Sequence, residues 1–359
     1  MASGGSADET AGPRVASAPT SLSRTPKWWL YQGTGQQLET AERNRRWPPA
    51  PPWRTFTGGS QDLPMPPADH AEALRRLGVE YVVHTPEPRT VEMVNAAIYL
   101  RRPLIVTGRP GTGKSALADL ISRELGLGRV LRWPITSRST LRQGLYQYDA
   151  FGRAQALGGD DIDTDIGNFV HLGPLGTALL PYKLPRVLLV DELDKSDIDL
   201  PNDLLSVFED GEFPIQELIR VQDRTPEVMV HAADTGVKAS VRNGVVRCHA
   251  FPIIVITTNG EREFPAALMR RCLTVEISDP DVNRLAEMVT AHFRDNANGV
   301  ARDLVNRFVA ARENKGGLAA DQLFNAVHLA TSGAFDPSEN ENWSDLLDAI
   351  WHRLSAGAL

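Results

Sequence analysis

The densest chemistry in the chain lies in eight consecutive residues, Gly108-Arg109-Pro110-Gly111-Thr112-Gly113-Lys114-Ser115. They fit the spacing G-x-x-x-x-G-K-[ST], in which a glycine-rich loop turns its backbone N–H groups onto a phosphate. Glycines at 108, 111 and 113 open backbone conformations closed to other residues, so those donors can converge on one anion. Lys114 is the side chain placed to reach the β- and γ-phosphates, and Ser115 supplies a hydroxyl for Mg²⁺. The alternative is a glycine-rich turn that binds nothing. The flanks argue against it: Leu104-Ile105-Val106 reads as a strand, and Ala116 to Ile121 reads as a helix. That helix adds its positive N-terminal end to the same site. The predicted phosphate contacts therefore run from Gly108 through Ala116, and the expected ligand is a nucleoside triphosphate.

A second stretch, Val187-Leu188-Leu189-Val190-Asp191-Glu192, places two acids after four apolar residues. An unbroken apolar run suits a central parallel strand buried on both faces. Ligand chemistry in such sheets gathers at the carboxyl ends of the strands. Asp191 is expected to hold Mg²⁺ through water and Glu192 to take a proton from the attacking water. Ile253-Ile254-Val255-Ile256-Thr257-Thr258-Asn259 repeats the pattern, and Asn259 at its tip can orient that water. An Asn in an ordinary strand-to-loop turn is the competing explanation. The short helix Phe264 to Cys272 ends on Arg270 and Arg271, ahead of a strand over Leu273 to Ile277.

These elements must be positioned by a chain of 359 residues, long enough for two domains. It is 42% hydrophobic and 23% charged, the composition of a protein with a core. A formal net charge of −7 disfavours a nucleic-acid partner. Cys248 and Cys272 have no metal-ligand spacing and read as free thiols of a reducing compartment. No run approaches the ~20 apolar residues of a membrane span, and no signal peptide is evident, so a cytoplasmic protein is expected.

Residues 1–67 read as a largely disordered tail rich in Pro, Ser, Gly and Ala. Within it lie four of the seven tryptophans, Trp28, Trp29, Trp47 and Trp53. Two explanations stay open: they pack onto the body of the same chain, or they form an aromatic docking site. From Ala68 the pattern turns globular, with helices over Ala71 to Leu77, Val91 to Leu100 and Thr140 to Gln147, and a strand over Val130 to Ile135. The acids of 158–165 lack the ligand spacing of a calcium loop and read as solvated. Asn243-Gly244 suggests a hairpin turn in the irregular segment 212–250. Beyond Asp279-Pro280 only helical periodicity remains, at 282–294, 300–311, 321–330 and 343–354. The predicted architecture is an α/β nucleotide-binding core over 68–278, with inserts near 158–180 and 212–250, followed by a small all-helical lid over 279–359.

The order of these motifs resembles the AAA+ P-loop NTPases over about residues 80–359, and its details resemble the MoxR branch. The resemblance rests on Phe169-Val170-His171-Leu172-Gly173-Pro174-Leu175, on Asp191-Glu192-Leu193-Asp194-Lys195, on Leu204 to Gly211, and on Pro265 to Arg271. It implies ATP and Mg²⁺ as cofactors, with Lys114 and Ser115 as Walker A, Asp191 and Glu192 as Walker B, and Asn259 as sensor 1. It implies an arginine finger at Arg271, with Arg270 as the neighbouring candidate. It places adenine near Tyr81-Val82-Val83-His84, where His84 reads as structural. The sensor-2 arginine of many such lids has no counterpart around Gly317-Leu318-Ala319-Ala320-Asp321-Gln322. The implied assembly is a homo-oligomeric ring, hexameric, that hydrolyses ATP and remodels a protein client, with a von Willebrand A-domain protein as a partner type. Two rivals stand beside it. One is an ATP-controlled assembly scaffold or switch in signalling or defence; the other is a DNA-directed motor using Arg220, Arg224, Lys238, Arg242 and Arg247.

Overall fold

The computed structural model describes residues 26–59, 63–78, 87–158, 164–293, 299–315, 317–332 and 342–352. The expectations for residues 1–25, for the adenine-side stretch 81–84 and for Asp160, Asp161 and Asp163 lie outside the described residues.

Five strands form a wholly parallel sheet in the spatial order Leu273–Glu276, Leu104–Thr107, Ile253–Thr258, Val187–Asp191, Leu131–Pro134. The strand Ile253–Thr258 is buried along its whole length, as is Val187–Asp191 up to its terminal acid. Successive side chains alternate between the two faces. Ile105, Leu188, Val190, Ile254 and Ile256 enter one core, while Leu104, Val106, Val187, Leu189 and Val255 enter the other. Apolar residues at every position are therefore what a sheet covered on both faces requires. Helices Pro88–Leu100 and Ala116–Glu124 supply the second core and Leu200–Asp210 the first. Both Cys248 and Cys272 are buried free thiols.

The segments expected as inserts build a second sheet, which the sequence reading does not anticipate. Its order is Tyr146–Tyr148, Val170–Leu172, Glu227–His231, Lys238–Arg242, Val245–Arg247, Glu212–Pro214. The first insert begins earlier than 158. The helix expected to run to Gln147 stops at Leu145, capped at its start by Thr140, and the chain continues as a strand from Tyr146 and the helix Ala150–Gly158. His171 and His231 form the single registered pair joining its two hairpins, with their rings stacked 4.6 Å apart. The turn at Asn243-Gly244 has φ of 51° and 68°, the left-handed pair that a two-residue hairpin needs.

The reading of residues 1–67 as a disordered tail fails for 26–59. Trp29, Leu30 and Tyr31 are buried in the core under the helix Pro88–Leu100. Arg54 is buried, donates to the carbonyls of Arg101 and Phe208, and lies 4.4 Å over the Phe251 ring. The Pro, Ser, Gly and Ala content suggested a tail, but long-range packing decides burial here, and for Trp29 the first of the two open explanations, packing onto the body of the same chain, is what the structure shows. Trp53 stays exposed and Trp28 partly so.

After Asp279 the described elements are helices, Val282–Phe293, Val300–Lys315, Ala320–Thr331 and Trp343–Ile350, around a core of their own. This bundle sits directly on the glycine-rich loop. A Cβ on Gly111, whose φ is +78°, would stand 2.4 Å from Ala319 Cβ.

Candidate nucleotide site

The loop 108–115 joins the end of the strand Leu104–Thr107 to the helix Ala116–Glu124, with positive φ at Gly108, Gly111 and Gly113. Lys114 is buried, and its Nζ donates to Gly108 O (2.7 Å), Arg109 O (2.8 Å) and Asn259 Oδ1 (2.8 Å). Burial pulls its pKa below the ordinary lysine value, and the carboxylates of Asp194, Glu192 and Asp191 work in the opposite sense. Thr112 Oγ1 donates to Arg109 O, while Arg109 extends outward to Asp279 at 3.1 Å. Pro110 and Ala116 occupy the turn and the first helical position.

The two acids meet this loop from the neighbouring strand. Ser115 Oγ donates to Asp191 Oδ1 at 2.7 Å, and Thr257 Oγ1 donates to the same oxygen at 2.7 Å. A hydroxyl beside a carboxylate is the hard-oxygen donor set that suits Mg²⁺, which takes few protein ligands and completes its shell with phosphate and water. Glu192 follows with φ +60°, a left-handed conformation that is costly outside glycine. Its N–H donates to Thr257 Oγ1 at 2.8 Å, so one threonine hydroxyl ties both acids to the adjacent strand. The Glu192 carboxylate accepts from Lys195 Nζ at 2.6 Å and from Asn259 Nδ2 at 3.4 Å.

Asn259 therefore bridges the loop lysine to the second acid through the two ends of its amide. Its backbone N–H is held by Asp194 Oδ2 at 2.9 Å, and Asp194 is itself buried. Thr257, Asp194 and Lys195 were not singled out as site residues from sequence. The signal for Thr257 was its place two residues before Asn259, where the apolar run Ile253 to Ile256 gives way to two threonines.

Arg270 and Arg271 do not join this cluster. Arg271 donates through Nε to Glu209 Oε2 at 3.0 Å and through Nη1 to Ala267 O. Arg270 is exposed, with its carbonyl accepting from Arg102. Around the expected sensor-2 position, Ala319 and Ala320 press on the loop. Gln322 accepts from Ala319 N and donates to the carbonyls of Ile350 and His352.

A cavity of about 510 Å³ opens from the loop between the P-loop helix and the first lid helix. Thr112, Gly113 and Ala116 line its end at the loop, Arg284 and Met288 come from the helix Val282–Phe293, and Tyr31 from the N-terminal segment. Arg284 is paired with Glu287 at 3.1 Å. The chamber is concave and sets apolar side chains beside several polar and charged ones, so it offers a nucleoside both a packing surface and hydrogen-bond partners.

Residues 103–272 match the family model for the AAA domain, dynein-related subfamily. Among solved structures the chain is similar to a RuvB point mutant from Thermotoga maritima, at 13% identity and TM-score 0.40, covering 80% of this chain and 72% of that one. It is similar to NtrX from Brucella abortus in complex with ADP, at 15% identity and TM-score 0.38, covering 76% of this chain and 57% of NtrX. A second RuvB mutant from Thermotoga maritima matches at 14% identity and TM-score 0.38, covering 79% of this chain and 70% of that one. At those scores the likenesses carry no argument about this chain. No curated protein matches the sequence. The family match covers the glycine-rich loop, both acids, Asn259 and the arginine pair, and it supports an AAA+ ATPase domain over residues 103–272.

Proposed function

We propose that the protein hydrolyses ATP in a homo-oligomeric ring, hexameric as in the MoxR branch, and uses the cycle to remodel a protein client, with a von Willebrand A-domain protein as the partner type. The observation that carries the reading is the bond network joining Lys114, Asn259, Glu192, Thr257, Asp191 and Ser115. In this reading the loop N–H groups and Lys114 hold the triphosphate, and Lys114 exchanges its loop carbonyls for phosphate oxygens. Ser115 and Asp191 would hold Mg²⁺, which when bound would supply positive charge against the phosphates. Asn259 orients a water in line with the terminal phosphorus, and Glu192 accepts its proton as the new P–O bond forms and the bond to the ADP oxygen breaks. Arg271, reaching from a neighbouring subunit, meets the charge that develops.

The charge distribution supports a protein client over DNA. On the second sheet Arg242 pairs with Glu227 and Arg247 with Glu212, and Lys238 donates to Asn168, so these cations are not a free basic stripe. A second reading, an ATP-controlled assembly switch, is favoured by one observation: Ala319, Ala320 and a fully engaged Gln322 stand where a lid arginine would serve hydrolysis. Turnover measured with single-stranded DNA and with a candidate client separates the readings. The remodelling reading expects stimulation by the client alone, and DNA stimulation refutes it. A folded, ring-forming protein that binds ATP without turnover points to the switch.

A further inference from the structure

The N-terminal segment is fastened to the nucleotide-binding core by two buried polar side chains that the nucleotide reading leaves unused. Asn95, fully buried in the helix Pro88–Leu100, accepts from the N–H groups of Leu30 (2.7 Å) and Tyr31 (3.0 Å). Its Nδ2 donates to Tyr31 O at 2.7 Å and to Val91 O at 2.8 Å. Glu124, the last residue of the P-loop helix, is 2% exposed. Its carboxylate accepts from the N–H groups of Gln32, Thr34 (2.9 Å) and Gly35 (3.1 Å).

Glu124 is an expensive choice at that position. A carboxylate at a helix C-terminus faces the negative end of the helix dipole, and burying it strips its water. Burial raises its pKa, and the converging backbone N–H groups act to lower it. A surface linker would need no such anchor. What the anchor shapes is the chamber beside the loop: Tyr31 and Gly33, at the centre of the clamped stretch, line the cavity opposite the lid residues Arg284 and Met288. Val91, Leu117 and Leu120 give the chamber an apolar side, polar groups such as Glu87 and Asp281 line much of the rest, and the phosphate end lies at Thr112 and Gly113.

We infer that the segment 30–35 is the wall against which the base of the nucleotide packs, and that Asn95 and Glu124 are positioning residues that hold it there. The inference rests on the nucleotide-binding reading above. One helix thus performs two tasks: its N-terminus receives the phosphates, and its C-terminal carboxylate fixes the wall for the base. Loss of either clamp should weaken binding of the nucleoside without touching the phosphate site.

The test compares MgATP with inorganic tripolyphosphate, which has the phosphates and no base. For Glu124→Ala and Asn95→Leu the Kd for ATP should rise about tenfold or more, while that for tripolyphosphate stays within about twofold of wild type. Glu124→Gln keeps one acceptor oxygen and should fall between Glu124→Ala and wild type. On the unmodified protein, ATP but not tripolyphosphate should slow amide hydrogen exchange across 29–35, a readout that survives if a variant fails to fold. The proposal is overturned if the variants bind ATP as wild type does, if they lose both ligands equally, or if ATP leaves exchange over 29–35 unchanged. A wild-type protein that binds neither ligand overturns the nucleotide reading, and this inference falls with it.

Discussion

Thr257→Val isolates a single hydroxyl that joins three parts of the site. The residue is fully buried on the strand Ile253–Thr258, and valine preserves its branched shape, so the change removes bonds and opens no cavity. Two bonds go: the donation to Asp191 Oδ1 and the acceptance from Glu192 N–H. A hydrogen bond to a charged group contributes about 1.5–3 kcal/mol, and a buried N–H left unpaired costs about 1–3 kcal/mol. Ser115 still donates to Asp191, which keeps part of the first amount. We expect unfolding free energy to fall by about 2–4 kcal/mol, a large share of the about 5–15 kcal/mol of a typical domain. The bond from Thr257 also anchors Glu192 in its left-handed conformation, so the carboxylate loses its aim. Turnover should drop about tenfold to a hundredfold while the Kd for ATP changes less than about threefold. Urea unfolding, ATPase kinetics and nucleotide titration read these three quantities, with Thr257→Ser as the variant that restores them. A Val variant within about 0.5 kcal/mol of wild type and with unchanged kcat would refute the reasoning.

Gly111→Ala should lower ATP affinity about tenfold and stability by about 1–3 kcal/mol, because its Cβ meets Ala319 at φ +78° and must push the lid from the loop; calorimetric titration and thermal melts check both. Arg271→Ala should bind ATP and hydrolyse it about 10³-fold more slowly or worse, and mixing it with Lys114→Ala should restore some turnover if subunits exchange. Normal turnover in Arg271→Ala would move the role to Arg270. The Glu72 carboxyl is held down at about 2 from its ordinary 4.5, first by the hydrogen bond from Arg76. Its folded pKa lies below the unfolded one, so its stabilisation is complete above pH 4.5 and fades as pH falls toward 2. Acid titrations of melting temperature should show a shallower decline in that window for Glu72→Gln.

The central sheet and the loop were legible because their signals are local. An apolar run followed by a polar tip marks each of the three inner strands, and the spacing from Gly108 to Ser115 sets the loop between strand and helix. The second sheet was not legible, since its strands are three to five residues long and its halves are joined in register by one pair, His171 and His231. The N-terminal segment misled for the same physical reason. Its Pro, Ser, Gly and Ala content reads as a disordered tail, while its burial is decided by Asn95 and Glu124, far along the chain. Thr257 lay in a strand read for its apolar residues, so its hydroxyl passed as β-branched filler. Arg271 was picked out as a finger by resemblance, and within one subunit it binds Glu209.

The most direct test of the nucleotide site is MgATP binding and turnover measured side by side on wild type, Lys114→Ala and Glu192→Gln. Lys114 holds phosphate in this account, whereas Glu192 only takes a proton from water. Lys114→Ala should show no ATP binding, and Glu192→Gln should bind as wild type does while turnover falls by about a hundredfold or more. ATP binding by Lys114→Ala at wild-type affinity, or hydrolysis by Glu192→Gln at the wild-type rate, would contradict it.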